Sequence, residues 1–105
     1  MKVTEHPLFV KVIEQLLDHE NQCLLIDFLI EHPDKGDLIP GGKGLRKIRW
    51  SVSGRGKRGG ARIIYYWHVY DDEILLLYGY AKSRRSDLTH EQLKTLIALL
   101  NEQYR

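Results

Sequence analysis

The sequence predicts an α+β domain: two N-terminal helices and a C-terminal helix packed on one face of a small, mainly antiparallel sheet. Three observations carry this reading. Apolar residues recur at helical spacing from residue 8 to about residue 31, and the period changes to two between residues 45 and 80. A capping-box pattern, Thr89 with Gln92, then opens a final helical stretch. A chain of 105 residues suits a single domain, residues 1–105, built on a hydrophobic core.

Residues Met1–Glu5 suggest a short strand. Phe9, Val12, Ile13, Leu16 and Leu17 then make one apolar helical stripe, with Pro7 suited to the first turn, where its missing N–H costs nothing. A second helix is expected from about Glu20, with Leu24, Leu25, Phe28 and Leu29 inward. It stops near His32 because the residue before Pro33 disfavours helical backbone. Residues 34–44 read as a loop of Gly, Pro and Asp. In Leu45–Ser53, Arg46, Ile48, Trp50 and Val52 face one way, and Lys47, Arg49 and Ser51 the other. A glycine-rich turn leads to a second strand, Ala61–Tyr70. Asp71-Asp72 turns the chain into Ile74–Tyr80, whose near-continuous apolar run fits a strand buried on both faces. Leu88 and Leu93 form a hydrophobic staple around the last cap, and Leu93, Leu96, Ile97, Leu100 and Tyr104 line the closing helix.

The net charge of +2 conceals a polarised chain. Residues 38–70 hold eight basic side chains (Lys43, Arg46, Lys47, Arg49, Arg55, Lys57, Arg58 and Arg62) and no acidic one, whereas residues 1–37 hold three basic and eight acidic. Basic charge interleaved with Trp50, Tyr65, Tyr66 and Trp67 suits a polyanion, nucleic acid above all. Alternation places Arg62 on the same face as Ile64, Tyr66 and His68, and the natural strand pairing brings it beside Lys47 and Arg49. Three like charges on neighbouring strands repel, so a purely structural sheet gains nothing from them. A merely solvated charged face is the plainer alternative.

Other chemistries find little support. Gly54, Gly56 and Gly59 spell G-x-G-x-x-G, but a strand follows where a dinucleotide site needs a helix. The five histidines show neither H-x-H nor H-E-x-x-H spacing, and no carboxylate lies in the basic segment, so no metal or other cofactor is expected. The lone Cys23 rules out an internal disulfide and reads as a small buried hydrophobe. Glu5, His6 and Pro7 interrupt any leader-like apolar run, and no stretch reaches membrane-spanning length. A cytoplasmic protein without a membrane partner is the expectation.

The stretches Gly44-Leu45-Arg46-Lys47-Ile48-Arg49 and Gly54–Tyr66, with Leu77–Leu88, resemble the central and last strands of RelE/HigB-type toxins of bacterial toxin–antitoxin modules. The order of elements is similar too. The resemblance implies the RelE/ParE-like fold and a toxin that cuts mRNA in the ribosomal A site, inhibiting translation. It also implies a cognate antitoxin that blocks the basic face, with the ribosome (rRNA) and mRNA as further partners. Lys47 and Arg49 match the family's basic pair, Arg62 its third-strand arginine, and Lys82 the lysine at the end of its last strand. The chain departs from the pattern with Ser83 in place of an arginine and Thr89 in place of a tyrosine. His90 is the nearest substitute for the latter. A gyrase-poisoning toxin of the ParE branch and a non-catalytic RNA-binding module are the alternatives.

Metal-free RNA cleavage uses the substrate's own 2′-hydroxyl as nucleophile. Arg62, assisted by Arg49, is expected to hold the phosphorane charge, since guanidinium presents a planar fork to phosphate oxygens. Lys47, whose ammonium form like charges disfavour, is the expected base, and Lys82 or His90 the acid. Lys43, Arg46, Arg55, Lys57, Arg58, Arg84 and Arg85 are expected to grip RNA backbone, and Tyr66 to stack a splayed base.

Overall fold

The centre of the molecule is an antiparallel pair made by Ala61–His68 and Glu73–Ala81, whose sequences are almost wholly apolar and aromatic and whose residues are mostly buried. In chain order the elements are β1 (Lys2–Glu5), α1 (Pro7–Leu16), α2 (His19–Glu31), β2 (Asp37–Leu38), β3 (Leu45–Trp50), β4 (Ala61–His68), β5 (Glu73–Ala81) and α3 (His90–Gln103). The computed structural model describes residues 1–51, 60–82 and 87–104. The sheet order is β1-β5-β4-β3-β2, antiparallel throughout except for β1, which runs parallel to β5. The two-residue strand β2 lies inside the stretch read as loop.

The helices begin and end where local chemistry directs. His6 caps α1 by accepting from the Leu8 N–H at 3.0 Å, with Pro7 in the first turn. Asp18 caps α2 by accepting from Asn21 N–H at 2.9 Å. At α3 both halves of the capping box form: Gln92 N–H donates to Thr89 Oγ1 (3.1 Å) and Thr89 N–H to Gln92 Oε1 (2.9 Å). The expected second helix ends at its C-cap His32, just before Pro33.

The layering differs from the single helical layer expected. Phe9, Ile13 and Leu17 of the α1 region and Leu25 and Leu29 of α2 pack against Ile48, Ile63, Tyr65, Ile74 and Leu76. Leu96 and Leu100 of α3 pack with Leu45, Ile64, Leu75, Leu77 and Tyr80. These two sets alternate along β3 and β4, so the sheet is covered on both faces, by α1 and α2 on one and α3 on the other. The physical reason lies in β4: Ile63, Ile64 and Tyr65 are all fully buried, and a strand apolar on both sides must be covered on both. A bulge completes the arrangement. Ile64 pairs with Tyr78 and Tyr65 with Leu76, leaving Leu77 as an extra residue in β5. The frame shift turns Tyr78 and Tyr80 to the α3 face along with Leu75 and Leu77.

Two further expectations are corrected in α2. Leu25 and Leu29 are buried there, but Leu24 is half exposed because it lies off the inward stripe. Cys23 is exposed rather than buried, with its sulfur 3.6 Å from His19 Nε2.

Tyr65 ties the α2 exit to the sheet. Its buried hydroxyl donates to Pro33 O and accepts from Gly36 N–H, both at 2.8 Å. Burial pushes this phenol's pKa up despite the Gly36 hydrogen bond, so it stays a protonated donor. Removing the hydroxyl strands two backbone groups. Tyr65→Phe is expected to lower unfolding free energy by about 1–3 kcal/mol, read as a drop in urea midpoint at unchanged slope. An unchanged midpoint would show that the tie carries no weight.

Candidate functional site

Leu45, Lys47 and Arg49 share one face of β3, and Arg62, Ile64 and Tyr66 share the corresponding face of β4. Their register places Arg49 directly opposite Arg62, and Lys47 opposite Ile64. Lys47 is therefore the diagonal neighbour of Arg62 on the same face. Continuing the two rows onto β5, Arg62 pairs with Tyr80 and Ile64 with Tyr78. Three cations and two phenol rings thus share one face of neighbouring strands, on the α3 side of the sheet. The rings of Tyr78 and Tyr80 lie 6.3 Å apart.

Burial separates the roles open to the three cations. Arg62 is only 7% exposed, held in the sheet between Arg49 and Tyr80. Arg49 is exposed and Lys47 half-buried. A guanidinium fixed in a poorly solvated position exerts a stronger field than one in bulk water. Lys47 Nζ donates to Asp87 Oδ1 at 3.1 Å. Asp87 also accepts from the Leu88 N–H at 2.9 Å, just ahead of the α3 cap. The hydrogen bond from Lys47, then that from Leu88, holds the Asp87 carboxyl below the usual carboxylate range. The ion pair thus anchors the α3 entrance to the basic row.

The remaining expected residues fall in different places. Lys82 is exposed at the end of β5, and its N–H donates to Gly60 O at 3.1 Å, extending the ladder one step past Ala61–Ala81. Gly60 takes a left-handed conformation (φ 54°), and a Cβ there would collide with the Trp50 carbonyl oxygen. His90 is exposed and opens α3, while Thr89 is committed to the cap. Lys43 is exposed in the turn before β3, six residues from Arg49 and so about 20 Å along an extended chain.

Arg46 is not brought to the patch. It points to the α1–α2 face, where its guanidinium donates to Asp34 O (3.0 Å) and Gly36 O (2.8 Å) beside the Tyr65 tie. Tyr66 is on the patch's face but packs against Tyr104 and His68, with ring centroids 5.4 and 6.0 Å away. That cluster has its own anchor, the Tyr104 hydroxyl donating to buried Glu73 at 3.2 Å. Arg55, Lys57, Arg58, Arg84 and Arg85 lie outside the described residues, as does Ser83. Among the described residues, no three His, Cys, Asp or Glu side chains cluster as a metal cage would require, and no helix is long and apolar enough to cross a membrane.

Sequence reasoning missed Tyr78, Tyr80 and Asp87. The tyrosines sit in an apolar run whose alternation the Leu77 bulge breaks, so periodicity hides the face they share. Asp87 carried one usable signal, a carboxylate just before a helix cap in a chain whose residues 38–70 hold eight basic side chains and no acidic one.

A family model described as the RelE toxin of the RelE/RelB toxin–antitoxin system matches residues 8–103.

The lowered Asp87 pKa has a pH consequence. A carboxylate whose folded pKa is depressed contributes stability above its unfolded value, about 3.9, and loses it as pH falls through the folded one. Carbon-detected NMR titration should therefore give Asp87 a midpoint below the free-aspartate value. Lys47→Met should raise that midpoint, and an unmoved midpoint would break the assignment of the pair. The pair is exposed, so its effect on unfolding should stay small.

Proposed function

The chain belongs to the RelE toxin family, and from that premise we propose that it is a ribosome-dependent endoribonuclease that cuts mRNA in the ribosomal A site. As a toxin of a toxin–antitoxin system it has an antitoxin partner. Ribosome-bound mRNA as substrate places its action in the bacterial cytoplasm. The observation that carries the nuclease reading is the pairing of Arg49 with Arg62, with Lys47 two residues from Arg49 on β3 and diagonal to Arg62 on the same face.

The reaction that fits this patch is attack of the substrate's 2′-oxygen on the adjacent phosphorus. The P–O5′ bond breaks, giving a 2′,3′-cyclic phosphate and a free 5′-hydroxyl. Since the nucleophile belongs to the RNA, the protein's task is charge and protons. Arg62, fixed in the sheet, faces the non-bridging oxygens as they gain charge. Arg49, exposed beside it, draws the scissile phosphate into place. Lys47 takes the 2′-hydroxyl proton as a neutral amine, which requires that it first give up the proton it shares with Asp87 in the 3.1 Å ion pair. Lys82 at the strand end, or His90 at the first position of α3, gives a proton to the departing 5′-oxygen. Half-buried Tyr78 offers a π-face for an unstacked base, whereas Tyr80, at 5% exposure, is packed in the core beside Arg62. Lys43, Arg55, Lys57, Arg58, Arg84 and Arg85 grip RNA backbone rather than take part in the chemistry.

Adding the protein to an in-vitro translation reaction and mapping new mRNA 5′-ends tests this reading. Cuts are expected only when ribosomes are present. Arg62→Ala should lower the cleavage rate by about 100-fold or more while the protein stays folded. Intact mRNA together with inhibited DNA supercoiling would contradict the nuclease reading and favour a gyrase target.

A further inference from the structure

On the face away from Arg49 and Arg62, α2 carries a second surface of opposite charge. Leu24, Asp27, Phe28 and Glu31 stand at i, i+3, i+4 and i+7, so apolar and acidic side chains alternate along one stripe. Leu24 is 50% exposed and Ile30 39%. Between this stripe and the end of β3 runs an open groove of about 630 Å³ lined by Leu24, Asp27, Phe28, Ile30, Glu31 and Trp50. The Trp50 ring tilts against Phe28 at 5.7 Å, and its Nε1–H is buried with no hydrogen-bond partner among the described residues. The groove therefore combines exposed apolar walls with two carboxylates on its rim.

We propose that this groove docks a segment of the antitoxin in which Lys or Arg residues flank apolar ones. Apolar side chains of the segment cover Leu24, Phe28 and Ile30, and its cations meet Asp27 and Glu31. Charge complementarity selects this occupant. RNA backbone is repelled by the same two carboxylates, and residues 1–37 hold eight acidic against three basic side chains. The inference rests on the antitoxin partner that family membership implies and is independent of the nuclease reading. Its functional content is a grip on the back of the sheet. This hold adds to the cover over the basic face that the family resemblance implies.

Calorimetric titration of the full-length toxin with its purified full-length antitoxin tests the proposal, using an Arg62→Ala background to permit expression. Asp27→Lys combined with Glu31→Lys changes only exposed side chains. It should weaken binding at least tenfold and reduce the salt dependence of the affinity. Placed in the unmodified toxin, the same two changes should leave ribosome-dependent mRNA cleavage intact. Affinity within twofold of the parent after the double charge reversal overturns the groove alone. Protection of the groove by an RNA oligonucleotide also overturns it. Failure of the parent toxin to bind antitoxin overturns both the partner assignment and the groove.

Discussion

Arg49 and Arg62 face each other across an antiparallel pair of strands, an arrangement that repels and that some other interaction must hold. The restraint comes from the residues one step along each strand. Ile48 opposes Ile63, and these are 9% and 0% exposed beneath α1 and α2. Fully burying one isoleucine side chain contributes about 1.5–3 kcal/mol, whereas opposed side-chain pairs in a sheet count for about 1 kcal/mol or less. Packing wins, and the arginines stay where the register puts them. A slip by one residue would turn both guanidiniums into the α1–α2 core and Ile48 and Ile63 out of it, so the register is strongly specified. The site is thus a by-product of core packing, held at a cost that the core easily covers.

The two covered faces then divide the molecule's tasks. Helix α3 packs over Leu45, Ile64, Leu75 and Tyr80, and Arg49 and Arg62 lie on the same face of the sheet. The Leu77 bulge matters here because it aligns Tyr78 and Tyr80 with that face instead of alternating them away. Asp87 closes the corner through Lys47, and the Thr89–Gln92 capping box fixes the helix that starts just after it. On the other face, acidic α2 and the Trp50 groove offer a surface that nucleic acid avoids. The polarity seen along the chain becomes a polarity across the sheet.

Much of this was legible in the residues. Pro7, Pro33 and the Thr89–Gln92 pattern marked helix limits that depend only on local hydrogen bonds. Period-two alternation grouped Lys47 with Arg49, and Arg62 with Ile64, because side-chain parity along a strand is a local property. What alternation cannot encode is which helix covers which parity, and so a single helical layer was expected where there are two. The same gap put Arg46 among the RNA contacts, although its partners Asp34 and Gly36 lie ten or more residues away in sequence. Leu24 and Cys23 were read as inward because α2 has apolar residues around most of its circumference, which blurs its stripe. Strand β2 is two residues long, too short for any periodicity.

A double-mutant cycle between Arg49 and Arg62 on ribosome-dependent mRNA cleavage tests the central claim most directly. If the two guanidiniums act on one phosphate, Arg49→Ala combined with Arg62→Ala should cost far less than the product of the two single losses, because groups that act as a unit are not additive. Losses that multiply cleanly would mean that the two arginines serve separate sites, and the shared patch would have to be abandoned.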